Sequence, residues 1–361
     1  MAKKIRVGII GVGNCFAGLI QGIEFYKRNP KKKIIGLMNQ KVGPYGLSDI
    51  EFASAFDVGA NKIGKTLDKA VYASPNLVNW LELPASQTIV MESPVLDGIG
   101  IYVQNKIRPL KNPTKPQKLK KIILKELKKT KTEVLINYLP VGSQKATEFW
   151  ASAALEAGCA FINCIPVFIA SDKSWGRKFS QKKLPLIGDD IKGQIGATIV
   201  HRVLTKLCDD RGTKIERTYQ LNVGGNTDFL NMKEQERLKS KKISKTKSVQ
   251  SQLKEELKAD DIYVGPSDFI PFLGNNKLAF IRIEGRMFAD IPYSLELRLS
   301  VDDKANSGGI VIDAIRCAKL ALDRKTGGYI PVSSYFMKHP LKQYSDSEAK
   351  KIVEDFIRHR I

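Results

Sequence analysis

Residues 5–10, Ile-Arg-Val-Gly-Ile-Ile, run directly into Gly11-Val12-Gly13-Asn14 and then into a stretch where Phe16, Leu19, Ile20 and Ile23 recur at helical spacing. A short apolar run of this kind suits a strand buried on both faces of a parallel sheet. Strand, glycine turn and helix make one β-α unit, and parallel strands need crossovers, so further strands and helices have to alternate. Gly11 and Gly13 let the backbone turn tightly and approach a pyrophosphate, whose charge is favoured by the helix amino end. Phe16 occupies the place of the third small residue of the usual fingerprint, with Ala17 and Gly18 following, so the spacing alone also fits a plain tight turn.

The alternation is present. Candidate strands at 52–56 before Asp57, 88–91, 134–138 before Pro140, 161–165 before Pro166 and 185–187 before Gly188-Asp189-Asp190 are separated by helical stretches such as 147–157. The pattern predicts an α/β fold with a doubly wound parallel (Rossmann) sheet, in which ligands gather at the carboxyl ends of the strands. Asp57, closing the second strand, can accept hydrogen bonds from both ribose hydroxyls and would repel the extra phosphate of NADP, which favours NAD. It lies 57 − 13 = 44 residues beyond Gly13, against the usual ~20. An insertion at 31–49 accounts for the excess, and a surface cap or turn is the other reading of Asp57.

Beyond residue 205 the character changes. Residues 217–223, 278–285 and 295–301 alternate like half-buried antiparallel strands, Leu295-Glu296-Leu297-Arg298-Leu299 most cleanly. A second, α+β domain carrying an antiparallel sheet is therefore placed at 206–304. Gly308 and Gly309 open a helix at 310–322 whose apolar length suggests packing back onto the first sheet, so the NAD-binding domain reads as discontinuous, 1–205 and 305–361.

A net charge of +22 draws anions: nucleic acid, acidic membranes or phosphorylated metabolites. Much of it lies at 106–131, where Leu119, Ile122, Ile123 and Leu127 form an apolar stripe beneath Lys118, Lys120, Lys121, Lys125, Lys128 and Lys129. Without interleaved aromatics or a helix-turn-helix pattern, this reads as a solvated outer helix, and no specific nucleic-acid partner is expected. No stretch approaches the ~20 apolar residues of a membrane helix, and the first residues lead straight into a strand, so a cytoplasmic protein with no membrane association is expected. Five cysteines, at 15, 159, 164, 208 and 317, lack paired spacing and read as reduced thiols; three histidines leave little for a His metal site or a triad.

Lysines offer more. Asn222-Val223-Gly224-Gly225-Asn226-Thr227-Asp228 is a polar glycine turn after a candidate strand, suited to a polyhydroxylated ligand, and Ser240-Lys241-Lys242-Ile243-Ser244-Lys245-Thr246 follows. If helical, Lys241 and Lys245 stand one turn apart on one face, where like charges cost ~0.2–0.5 kcal/mol unless an anion binds. A solvated lysine face is the competing reading.

Together with the glycine loop, Leu139-Pro140-Val141-Gly142-Ser143, Gly188-Asp189-Asp190-Ile191-Lys192, Gly265-Pro266-Ser267-Asp268 and Met337-Lys338, these segments resemble, in order and over nearly the whole chain, the inositol-3-phosphate synthase family in its compact prokaryotic form. The resemblance implies a redox-neutral isomerisation. Carbon 5 of glucose 6-phosphate is oxidised by NAD, carbon 6 is deprotonated and attacks the carbon 1 aldehyde, and the ketone is reduced again. An enolate and an alkoxide then develop at ketone oxygens, where ammonium groups in a dry site stabilise them.

By the same resemblance, Lys241 and Lys338 serve proton transfer around carbon 5 and the enolisation, Lys277 stabilises oxyanions and Lys245 binds the substrate phosphate. Asp190 and Asp303 orient these lysines and the nicotinamide end. Gln194, Asn226 and Asp228 meet the substrate. Gly11, Val12, Gly13, Asn14 and Cys15 hold the cofactor with Asp57, Tyr138, Leu139, Pro140 and Asp190. Asn14 and Lys192-Gly193-Gln194 depart from the eukaryotic pattern in two phosphate-contacting loops. A divalent or monovalent cation is left unassigned, and the family together with an exposed antiparallel edge suggests a homotetramer. An NAD-dependent sugar-phosphate dehydrogenase shares the cofactor domain but would release NADH with each turnover.

Overall fold

A computed structural model describes residues 4–265 and 268–360, so Pro266 and Ser267 of the fourth glycine motif lie outside the described residues. The opening strand is β1 (Ile5–Ile10), in which Val7, Ile9 and Ile10 are fully buried. It lies between β2 (Ile50–Asp57) and β4 (Val134–Asn137), parallel to both. β3 (Val90–Glu92) flanks β2, and β5 (Ala160–Asn163), β6 (Pro185–Ile187) and β12 (Gly328–Tyr329) continue beyond β4. The seven strands run in the order β12-β6-β5-β4-β1-β2-β3, parallel throughout. Strand order reverses at β1, so a crevice opens past the carboxyl ends of β1 and β4.

Helices cover both faces. Asn14–Arg28 and Ala305–Asp323 pack together on one side, within an apolar cluster built on Ile9, Phe16, Ile162 and Ile315. Pro116–Lys129 and Gln144–Ala157 cover the other around the buried Trp150. The late helix expected at 310–322 begins at Ala305 and does pack on the first sheet. The insertion at 31–49 is tied to that same helix. Tyr45 is buried and hydrogen-bonds Asp323, while Gly43, with φ +57°, leaves only 3.1 Å between a hypothetical Cβ and Leu320. In the lysine-rich helix Leu119, Ile123 and Leu127 are buried, but Ile122 is exposed. At 3.6 residues per turn it falls outside the stripe set by the other three.

The second sheet contains β7 (Lys214–Gly224), β8 (Ile262–Val264), β9 (Asp268–Phe269), β10 (Asn276–Met287) and β11 (Ile291–Asp302), in the order β11-β10-β7-β8 with β9 beside β7. The three long strands pair antiparallel as expected, whereas β8 and β9 run parallel to β7. The sheet is therefore mixed, because these two strands return through the helix Lys239–Gln250 and its flanking turns instead of a hairpin. Helices Ala197–Asp210 and Lys239–Gln250 pack against it. β11 is its edge. Register aligns Lys277 of β10 with Gly224 of β7 and Val301 of β11, so the turn after β7, the start of β10 and the end of β11 come together.

Candidate active site

One cleft runs from the carboxyl ends of the parallel strands to that end of the second sheet. On the parallel side it is lined by Gly11, Gly13, Asn14, Cys15 and Asp57, with Tyr138, Leu139 and Pro140 following β4. Gly11 has φ +92°, and a Cβ there would stand 2.8 Å from the Tyr138 carbonyl, so glycine is needed for the turn to pass so close. A Cβ on Gly13 would meet only open space. Gly13 caps the helix Asn14–Arg28 without a side-chain cap, and no acidic residue occupies its first turn, leaving an amide end suited to an anion. The Tyr138 hydroxyl is buried without a hydrogen-bond partner among the described residues. These features fit a dinucleotide diphosphate and its sugar.

Asp57 has a second duty that its spacing did not reveal. Its Oδ2 accepts from the Val12 amide at 2.7 Å and its Oδ1 from the Gly59 amide at 2.8 Å, which ties β2 to the glycine loop. Each oxygen keeps a lone pair for a ribose hydroxyl. Val12 does not line the cleft. Its side chain is buried in the core, and its carbonyl accepts from Lys62 Nζ at 2.7 Å and Asn76 Nδ2 at 3.0 Å. Lys62, five residues past Asp57 and buried, stands 3.7 Å from Asp57 Oδ2 and was not singled out by any motif.

The opposite wall is charged. Lys241 and Lys245 both lie on the helix Lys239–Gln250 and both line the cleft, together with Lys277, Lys338, Asp190, Asp228, Asp303 and Asn226. Asn226 caps the helix Thr227–Asn231, its Oδ1 accepting from the Asp228 and Phe229 amides, while its buried Nδ2 has no partner among the described residues and is available to a ligand. Gln194 does not line the cleft. Its amide donates to the Gly36 carbonyl, in the loop that packs on Gly309.

Pairing organises the lysines. Lys338 Nζ lies 2.9 Å from Asp190 Oδ1, and Ser244, between the two helical lysines, donates to Asp190 Oδ2 at 2.7 Å. Burial would raise the Asp190 carboxyl, but Lys338, Lys241 and Ser244 outweigh it and hold it down to about 2. Lys277 Nζ is 3.4 Å from Asp303 Oδ1, and Lys304 Nζ is 2.9 Å from Asp303 Oδ2. Burial opposes ionisation there too, yet Lys304 and Lys277 keep Asp303 below the usual carboxylate range.

The lysines themselves diverge. Burial lowers Lys338, with Asp190 only partly restoring it and Lys241 lowering it further. Lys241 goes the other way: burial pulls it down, but Asp228, Asp190 and Asp303 lift it above the ordinary lysine value. Lys245 is 4% exposed and has no ion-pair or hydrogen-bond partner among the described residues. Burial together with Lys277, Lys241 and Lys338 holds it well below the ordinary value. An incoming dianion would restore its charge. Among the described residues no group of three or more His, Cys, Asp or Glu side chains is arranged to hold a metal ion, and all five cysteines are free.

The family model for myo-inositol-1-phosphate synthase matches residues 196–304. The chain is 48% identical over 359 residues to inositol-3-phosphate synthase of Mycobacterium tuberculosis, covering 99% of this chain and 96% of that one. It is 46% identical over 363 residues to the Corynebacterium glutamicum inositol-3-phosphate synthase, covering 98% of each. Among solved structures, a myo-inositol-1-phosphate synthase-related protein from Thermotoga maritima superposes with a TM-score of 0.84 at 24% identity over 98% of both chains, which shows the shared fold.

Proposed function

The chain belongs to the inositol-3-phosphate synthase family, a family of isomerases, and on that premise we propose how its own residues convert glucose 6-phosphate to 1D-myo-inositol 3-phosphate with NAD as a returning cofactor. The observation that carries the reading is the convergence of Lys241, Lys245, Lys277 and Lys338 with Asp190, Asp228 and Asp303 opposite an uncapped glycine-loop helix.

When bound, NAD would supply the hydride acceptor for oxidation at carbon 5 and the hydride donor for the closing reduction. Gly11, Gly13, Asn14 and Cys15 would hold its diphosphate, Asp57 its ribose, and Tyr138, Leu139, Pro140 and Asp190 would border its nicotinamide end. Lys338, depressed by burial, is the group suited to accept a proton, and Lys241, lifted by three carboxylates, is the one suited to keep and donate it. Lys277, steadied by Asp303, stabilises the oxyanion that develops at the ketone oxygen. Lys245 is a buried lysine with no ion-pair partner among the described residues, and the substrate phosphate supplies the counter-charge that restores its ammonium form. Asn226 Nδ2 and Asp228 contact substrate hydroxyls.

We place the cofactor-binding unit at 1–205 and 305–361 and the catalytic unit at 206–304, in a cytoplasmic homotetramer that covers the exposed edge strand β11. No helix among the described residues is long and apolar enough to cross a membrane. The test is product analysis with glucose 6-phosphate and substoichiometric NAD, with and without added divalent or monovalent cation. An inositol monophosphate should form with no net gain at the NADH absorbance band. NADH accumulating in step with product would show a sugar-phosphate dehydrogenase instead.

A further inference from the structure

Lys304 also lines the cleft, and none of the roles above uses it. It is 2% exposed and precedes the helix Ala305–Asp323. Its backbone rides on the helix that follows the glycine loop: a Cβ on Gly18 would stand 3.0 Å from Lys304 Cβ and 3.5 Å from its carbonyl oxygen. This contact directs the side chain along the first turn of that helix, where Nζ stands 3.6 Å from Cys15 Sγ. Its carboxylate neighbour is Asp303, at 2.9 Å, and Asp303 is shared with Lys277.

Asp303 serves both Lys304 and Lys277. Burial alone would lower Lys304, but Asp303 and Asp228 lift it above the ordinary lysine value and keep it an ammonium, while the Cys15 thiol, which burial pushes up, stays neutral. Beside them lies the amide end of Asn14–Arg28, with neither a side-chain cap nor an acidic first-turn residue. A buried cation and an uncapped helix end therefore face the same part of the cleft. Resting on the dinucleotide reading above, we propose that Lys304 is a cofactor-binding residue whose ammonium contacts the diphosphate of NAD, adding a full charge to the amides of the glycine loop.

A purely structural Asp303–Lys304 pair would stabilise the cleft for every ligand alike, whereas a diphosphate contact discriminates among adenine compounds. The experiment is calorimetric titration of the full chain with NAD, ADP and adenosine, for the wild type and for Lys304→Met, Lys304→Gln and Lys304→Arg, with thermal melting to confirm folding. Met and Gln should weaken NAD and ADP by about tenfold or more while leaving adenosine within about twofold, and Arg should recover most of the loss. Unchanged NAD and ADP affinity in a folded Met or Gln variant would overturn the assignment, as would an equal loss for adenosine. If the wild type binds NAD and only the discrimination fails, the cofactor reading stands without Lys304. If the wild type binds no NAD, both fall.

Discussion

Two regions of this molecule are rich in lysine, and they behave in opposite ways. The helix Pro116–Lys129 carries Lys118, Lys121, Lys125, Lys128 and Lys129 on its exposed side, above Leu119, Ile123 and Leu127 in the core. Lys120, the sixth of that run, makes an ion pair with Glu156 on the neighbouring helix. In the cleft, Lys241, Lys245, Lys277, Lys304 and Lys338 are removed from bulk water and stand among Asp190, Asp228 and Asp303. Water screens the first group, so each ammonium is nearly independent of the next. Burial couples the second, and Lys241 and Lys304 are lifted while Lys245 and Lys338 are lowered. Abundance of lysine sets the protein's charge; desolvation and pairing set its chemistry.

The contrast can be broken most severely at Lys277. Lys277→Met should lower kcat by about a hundredfold to a thousandfold, as for loss of one oxyanion-stabilising group, with NAD affinity little changed. Kinetics of inositol phosphate formation and an NAD titration check both halves; a variant that keeps full kcat would make Lys277 an ordinary ion-pair partner of Asp303.

A smaller effect is expected in the pH profile of Asp190→Asn. Removing the carboxylate beside Lys338 takes away the charge that raises it, so Lys338 deprotonates more easily. The acid limb of kcat/KM should then move to lower pH by about one unit or more. Asp190 also links folding to pH. Its carboxyl, held down to about 2, contributes stability that is full above the ordinary aspartate range and is lost as pH falls through about 2. Acid unfolding of the same variant should lack that contribution.

The smallest effect should come from the outer helix. Replacing Lys118, Lys121, Lys125 and Lys128 together by Gln should change stability by no more than about 0.5 kcal/mol per site and leave kcat and KM unaltered at physiological salt. A large loss of activity would show that this surface takes part in function after all.

Much of the site was legible in the chain because its signals are local. Glycines at 11 and 13 between a strand and a helix need no partner to be recognised, and two lysines four apart share a helix face by geometry alone. Other parts were not legible because their surroundings depend on distant contacts. Val12 and Gln194 sit within the right loops, yet one turns into the core and the other is engaged by Gly36. Lys304 follows Asp303 directly in sequence, but its importance comes from Gly18 and Cys15, far away in the chain. The parallel pairing of β8 and β9 was equally hidden, since strands of three and two residues are too short to show a period.

By itself, the sequence determined the parallel sheet, the position of its glycine turn and the inventory of lysines and acids, because periodicity and glycine spacing act over a few residues. Only the tertiary structure decided which of those charges matter. Lys338 reaches Asp190 across 148 positions, and strand register sets Lys277 beside Asp303. Charges separated along the chain acquire strong mutual effects only when folding brings them within a few ångströms and excludes the water that would screen them.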